Sequence, residues 1–177
     1  MRALLVAATA ASCALLVVVC AGLSGCSTSA NVADLKVGDC LELGGTPDRP
    51  QATKAVCGSP ESNFKVVASV ADRAKCPADV DSSYSMRNAF NRSNNTVCLD
   101  IDWVIGGCMS VDPDHNTDPV RVDCRDTSVP HRQRATEILT DLDAPVSVED
   151  CVSGMGYTYT QRLFVVCVED VTDGSSA

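Results

Sequence analysis

The sequence is poor in the residues from which many catalytic and nucleic-acid sites are built. Its 177 residues include three phenylalanines, three tyrosines, one tryptophan and two histidines, and the formal net charge is −9. An acidic chain with few aromatic residues is a poor match for nucleic acid or for anionic lipid surfaces, which both attract basic patches. We therefore expect no nucleic-acid partner.

Catalytic motifs are also missing from the sequence. The histidines, His115 and His131, stand in no recognisable nucleophile context, and a hydrolase needs a base beside its nucleophile. Glycine doublets have the look of turns and not of phosphate loops, and no two cysteines form the C-x-x-C pair of zinc or thioredoxin-type sites. We expect a protein that is not an enzyme and has no cofactor.

The N-terminus has the features of an export signal. Met1-Arg2 is followed by an uncharged run from Ala3 to Leu23, which ends in Leu23-Ser24-Gly25-Cys26. This ending resembles the bacterial lipobox. The resemblance implies cleavage of residues 1–25 as a lipoprotein signal peptide and acylation of Cys26 with lipid chains such as palmitate. The alternative is an uncleaved N-terminal helix with a buried Cys26.

An acylated Cys26 predicts a location at the cell membrane, lipid-anchored on its extracytoplasmic face. Two or three acyl chains form a stable anchor where one is marginal. Residues 26–36 would then be the lipidated cysteine and a short tether, with a reach of roughly 18 Å root-mean-square as a flexible chain. The tethered part would stay close to the bilayer.

The cysteine count agrees with export. Of 11 cysteines, Cys13 and Cys20 would leave with the signal and Cys26 would be lipidated. An even number in an oxidising compartment is typical of disulfides, here four. The remaining eight are Cys40, Cys57, Cys76, Cys98, Cys108, Cys124, Cys151 and Cys167.

The cysteines occur in two similar sets of four, which indicates an internal duplication. Their contexts match in order, and a tyrosine follows the third cysteine of each set by eight positions, as Tyr84 and Tyr159. Four cysteines in each half allow three connectivities. We favour links from first to second and from third to fourth: Cys40–Cys57, Cys76–Cys98, Cys108–Cys124 and Cys151–Cys167.

The expected fold class is α+β, predominantly β, with two tandem, disulfide-stapled small β-rich repeats after the signal peptide. The boundaries would be 37–102 for repeat 1, 103–170 for repeat 2 and 171–177 for a disordered tail. Alternation predicts a strand from Phe64 to Val70, and the apolar run Leu163–Val168 predicts a central strand. Asp81 would cap a short helix over 82–91. The stretch 135–142 fits a helical stripe, but the repeat favours a strand.

Over nearly its whole length the chain resembles the actinobacterial lipoprotein family named for LppU, in particular its mycobacterial members. The resemblance rests on three segments of the sequence, which are Asn31–Cys40, Cys98–Trp103 and the loop Val111–Asp118. It implies an envelope lipoprotein of uncharacterised biochemistry, and it identifies no catalytic residue in this chain. A looser resemblance, in the Gly-Asp-Cys and Val-Cys pattern, is to small exported actinobacterial domains linked to septum formation.

Two local patterns have both a functional and an ordinary interpretation. Asp112, Asp114, Asn116 and Asp118 alternate as calcium ligands do, but Thr117 stands where a calcium loop needs glycine, so an ordinary turn is favoured. An arginine cluster suits either an anionic partner or a salt-bridged surface, and we favour the surface. Its members are Arg121, Arg125, Arg132 and Arg134.

The function expected from these features is that of a binding or interaction module in the cell envelope. Its partners would be the membrane, through the anchor, and an envelope protein or polymer. The alternative is a carrier of an apolar, lipid-like ligand held between or within the two repeats, which needs an apolar cavity of several hundred Å³. Trp103 and the two tyrosines are expected in the core or at the junction of the repeats.

Overall fold

The computed structural model describes residues 34–46, 48–87, 94–114, 117–140, 142 and 145–171. The segment expected to be a signal peptide, together with Cys26 and most of the expected tether and tail, lies outside these ranges. Among the described residues, no helix is long and apolar enough to cross a membrane.

Two antiparallel sheets of five strands make up the fold. Repeat 1 forms β1 (Cys40–Thr46), β2 (Arg49–Ala55), β3 (Phe64–Val70), β4 (Ser82–Arg87) and β5 (Asn94–Ile101). Repeat 2 forms β6 (Cys108–Ser110), β7 (Val120–Val122), β8 (Arg132–Leu139), β9 (Gly156–Tyr159) and β10 (Phe164–Asp170). Spatial order is β2-β1-β3-β5-β4 in the first sheet and β7-β6-β8-β10-β9 in the second. The expected β-rich tandem repeats are therefore present, with the same topology in each.

Smaller features recur at corresponding places in the two repeats. A 3-10 helix joins the third strand to the fourth in both, as Arg73–Lys75 and Val148–Asp150, and each ends at the third cysteine of its set. The pairing register also shifts once between the third and fifth strands of each sheet, within Val66–Ala68 of β3 and opposite Cys167–Val168 of β10. An extra residue of this kind bends a strand and increases its twist.

The four disulfides have the pairing that the repeat favours. They join Cys40 to Cys57, Cys76 to Cys98, Cys108 to Cys124 and Cys151 to Cys167. In each repeat one disulfide ties the start of the first strand to the end of the second. The other ties the end of the 3-10 helix to the last strand. Every sheet is thus fastened at two places.

One apolar core runs through both repeats. It contains Leu41, Phe64 and Leu99 from repeat 1 together with Met109 and Tyr159 from repeat 2, each at most 1% exposed. The buried run in β10 agrees with its expected central position, since β10 lies between β8 and β9. A smaller cluster around Cys151 and Cys167 fills the other face of the second sheet.

The helix expected after Asp81 is wrong over the described residues. Residues 82–87 form β4, paired with β5 along its whole length, and 88–91 lie outside the described ranges. β4 lies at the edge of the sheet, and β5 offers it a continuous antiparallel partner for the backbone groups on that side, a tertiary pairing that outweighs local helical spacing. Asp81 is not a helix cap, because its Oδ2 accepts from the backbone N–H of Ile101 on β5. The preference for a strand over a helix at 135–142 is confirmed by β8 as far as Leu139.

Candidate functional site

The surface where the two repeats meet, here called the seam, is held by Arg162. This residue lies in the turn between β9 and β10, where Leu163 adopts a left-handed φ of 54°. This conformation costs a residue other than glycine roughly 1 kcal/mol or more, and it persists where neighbouring contacts hold the backbone in place. At Leu163 these contacts come from carboxylates of repeat 1 that bind the same turn.

The Arg162 guanidinium bridges two acidic residues of repeat 1. Its Nε donates to Oδ1 of Asp79 at 3.0 Å, and its terminal nitrogens donate to both carboxylate oxygens of Asp100. Asp79 also accepts from the backbone N–H groups of Gln161 and Arg162, which fixes the turn itself. The guanidinium carbon lies 4.9 Å from the ring centroid of Tyr159, close enough for a cation–π contact.

A second contact across the seam joins Asp81 to Tyr159. The Tyr159 hydroxyl donates to Asp81 Oδ2 at 2.7 Å. As a whole residue Asp81 is exposed, but the protein surrounds its carboxyl group closely enough that burial raises its pKa to about 6. The donors Ile101 N–H and Tyr159 O–H act in the opposite direction and do not cancel this. Burial likewise raises the pKa of Asp100 despite its pairing with Arg162.

Asp102 makes a third contact, at the other end of the junction. Its Oδ2 accepts from the Gly58 N–H and the Ser62 hydroxyl, each at 2.6 Å. Arg121 of β7 pairs with the same oxygen and with the Asp102 carbonyl. Both charged side chains are at least nine-tenths buried. The repeats therefore meet as one unit, because leaving either partner alone would strand a buried charge.

An open groove of about 550 Å³ follows the seam. We call it the seam groove. Its walls are mainly apolar: Val37 and Val67 come from the repeat 1 side, and Trp103, Ile138 and Phe164 from the repeat 2 side. Lys65 and the Asp100–Arg162 pair supply the charged part of the lining. A groove of this size and chemistry fits an extended apolar segment flanked by polar groups.

Trp103 has an unmet hydrogen-bond donor beside this groove. The residue is 9% exposed and its ring lies 5.1 Å from that of Tyr157, tilted by 36°. Its Nε1 is fully buried and has no hydrogen-bond partner. The Tyr159 hydroxyl is its close polar neighbour, but without the geometry of a hydrogen bond. Buried indole N–H groups usually have a partner, so an unmet donor at this place is unusual.

Two other open grooves flank the core. One, of about 660 Å³, lies between the β1–β2 hairpin and segment 117–121, with Glu42, Glu61 and Asp118 in its lining. The other, of about 550 Å³, lies within repeat 2. Burial raises the pKa of Asp118. Neither groove combines apolar walls from both repeats with an unmet donor, so the seam groove is the strongest candidate.

The calcium candidate has the contacts of a turn where it is described. Asp112 Oδ1 accepts from the backbone N–H of Asp114 at 2.9 Å, an Asx-type turn. Asn116 and the neighbouring His115 lie outside the described residues. Elsewhere in the described part, ligand-type atoms of Cys40, Cys57 and Asp102 lie within 4.8 Å of one another. The two sulfurs are joined in a disulfide, which removes them as thiolate ligands.

The four clustered arginines are divided among separate partners. Arg121 is part of the seam, Arg125 pairs with Asp123, and Arg134 pairs with Glu169. Arg132 is buried and donates to the Cys124 carbonyl. The expected salt-bridged surface therefore describes Arg125 and Arg134, whereas the side chains of Arg121 and Arg132 are buried.

The seam residues that matter most were not found from the sequence. Asp79, Asp81 and Arg162 stand in ordinary turn-like contexts, and no local spacing links them. One signal in the sequence could have pointed to them. Asp100 and Asp102 lie two positions apart beside Trp103, at the end of a largely buried strand. Two carboxylates flanking a buried strand end suggest a cationic partner from elsewhere in the chain.

The chain matches no known protein family, no curated protein and no solved structure. The similarity to LppU-type lipoproteins therefore remains a prediction.

Proposed function

We propose that the chain is a lipid-anchored extracytoplasmic binding module that captures an extended apolar segment of an envelope protein in the seam groove. The observation that carries the proposal is the groove itself, which combines apolar walls from both repeats with the unmet donor of Trp103. Four disulfides and the buried ion pairs support a rigid site, and preorganisation lowers the cost of ordering a partner.

An open groove favours a polypeptide segment over a free lipid. A lipid tail lying in an open groove would keep much of its surface in water and gain little. A polypeptide has apolar side chains for the groove walls and backbone groups for Lys65 and the Asp100–Arg162 pair in the lining. The carrier of a lipid-like ligand is the second candidate, since the same groove lies between the two repeats.

The binding proposal is tested by photo-crosslinking in intact cells. A benzophenone amino acid replaces Ile138, which lines the groove and is 36% exposed, or Val152, which is fully exposed and outside the groove lining. We expect a discrete protein adduct from position 138 and none from position 152. Equal adducts at both positions, or none, would refute a partner protein in the groove.

Native mass spectrometry of the same purified chain separates the two candidates. A mass excess that disappears on denaturation would indicate a bound small ligand and would favour the carrier function over the interaction module. A bare mass together with a position-138 adduct would support the interaction module.

The anchor is tested separately through Cys26. We expect the wild-type chain in the membrane fraction with acyl mass on its N-terminal cysteine, and Cys26→Ser released into the soluble fraction. A Cys26→Ser variant that stays in the membrane fraction would favour the uncleaved N-terminal helix.

A further inference from the structure

One end of the molecule carries a group of exposed aliphatic side chains, which we call the entry end. It comprises Val37, Val56, Val104 and Ile105, which are 63%, 78%, 39% and 61% exposed. Single exposed aliphatic residues are ordinary, whereas a group of them around one place indicates a contact surface.

Contacts among their neighbours bring the four residues together. The Gly38 carbonyl, next to Val37, lies 3.6 Å from Cys57 Sγ, next to Val56. A side chain at Gly58 would meet the Val104 methyl at 3.1 Å. The Asp102 carboxylate, two residues before Val104, accepts from the Gly58 N–H. The entry end is therefore one continuous region that includes residues of both repeats.

The two repeats build this region with the same turn. Val37-Gly38 precedes Cys40 as Ile105-Gly106 precedes Cys108, and both glycines have left-handed φ angles, of 93° and 81°. Each glycine carbonyl also lies against the second cysteine of its repeat, at 3.6 Å and 3.7 Å. The turn leaves the residue before glycine pointing away from the core in both cases. Exposure of an aliphatic residue there occurs twice and is not an isolated irregularity.

We propose that the entry end docks onto the lipid bilayer and inserts its aliphatic side chains among the headgroups. The choice of partner rests on the anchor at Cys26, which belongs to the proposed function. Asp34, where the described chain begins, lies eight positions after Cys26, a distance of at most about 28 Å when the chain is fully extended. Val37 follows within three residues. The tether therefore keeps Val37 and its neighbours close to the membrane.

Charge at the entry end suits a headgroup layer better than the acidic whole chain does. Three of the four lysines lie on it or beside it: Lys36 next to Val37, Lys54 two residues before Val56, and Lys65 paired with Cys40 in the sheet. All three are exposed. Lys54 also pairs with Asp39 at 2.7 Å, which offsets a carboxylate of this end. Lysines around exposed aliphatic residues are typical of surfaces that rest on phospholipid.

The experiment uses Trp103, the single tryptophan of the chain, which immediately precedes Val104. The full chain is purified from the envelope of an exporting host, its acylation is read by mass spectrometry, and it is reconstituted into vesicles of phosphatidylcholine and phosphatidylglycerol with brominated acyl chains. Bromine quenches tryptophan fluorescence only at close range. The test variant is Val37→Asp with Ile105→Asp, and the control is Val152→Asp, which changes a fully exposed valine outside the entry end.

We expect acylated wild-type chain and the Val152→Asp control to be quenched in brominated vesicles, and most of that quenching to be lost in the double variant. If the chain is acylated but its fluorescence is not quenched, the docking proposal is wrong and the anchor remains supported. If the purified chain carries no acyl group, both the anchor and the docking proposal are wrong. Quenching that the double variant retains would place Trp103 near lipid without the entry end, and would also overturn the proposal.

Discussion

Replacing Arg162 with methionine should cost this protein a large share of its stability. The substitution keeps an aliphatic stem but removes the charge that faces Asp79 and Asp100, whose side chains are 6% and 10% exposed. Removing one partner of a buried ion pair typically costs about 3–5 kcal/mol, because the other charge is left uncompensated. Loss of the cation–π contact with Tyr159 adds about 0.5 kcal/mol or more. We expect a total near 4 kcal/mol.

Equilibrium unfolding in urea with the disulfides intact measures this loss. The matched control is Arg134→Met, because Arg134 pairs with Glu169 while both side chains remain at least 40% exposed, and exposed pairs contribute at most about 1 kcal/mol. The Arg162→Met deficit should shrink as the pH falls, since the stranded carboxylates can then bind protons. Adding Asp100→Asn should recover part of it. Equal costs at positions 162 and 134, independent of pH, would refute the reasoning.

Three further outcomes follow from the structure. Since burial raises the pKa of Asp81 from 3.8 to about 6, its protonated form favours folding: the free energy of unfolding should fall as the pH rises through 4–6, and Asp81→Asn should remove that dependence in urea titrations. Gly156→Ala would set a Cβ 2.5 Å from a strand carbonyl, whereas Gly44→Ala meets nothing within 4 Å; thermal unfolding should show a loss of about 1–3 kcal/mol for the first and almost none for the second. Opening the Cys76–Cys98 link with paired serines should cost about 3 kcal/mol in urea, and an unchanged midpoint would contradict the stapling role.

The sequence predicts the fold well where one physical rule dominates. Eight cysteines in two matched sets leave few pairings, and the predicted apolar run ends in Val165–Val168, which can be buried on both faces only in a strand with neighbours on both sides. The similarity of the two repeats also favoured a strand over a helix correctly as far as Leu139. In each case the information lies in residues that are near in sequence or repeated at a fixed interval.

Sequence patterns predict the structure poorly where a distant partner decides the conformation. Residues 82–87 have spacing that suits a helix, but β5 offers them a complete ladder, and local propensity is weaker than a tertiary pairing. Arg162 and Asp79 are 83 positions apart, and no spacing rule links them. The seam therefore could not be found from the sequence, because its energy comes from charges that meet only after both sheets have formed.

The two repeats share one topology, but they contribute charges of opposite sign to the seam. Its ion pairs run from arginines of repeat 2 to carboxylates of repeat 1: Arg162 to Asp79 and Asp100, and Arg121 to Asp102. Two copies of repeat 1 facing each other would bring carboxylates together, and two copies of repeat 2 would bring arginines together. The junction therefore requires the two repeats to differ at these positions, although they share one topology. The two repeats are complementary in charge at this surface, so pairing like with like would bring charges of the same sign together.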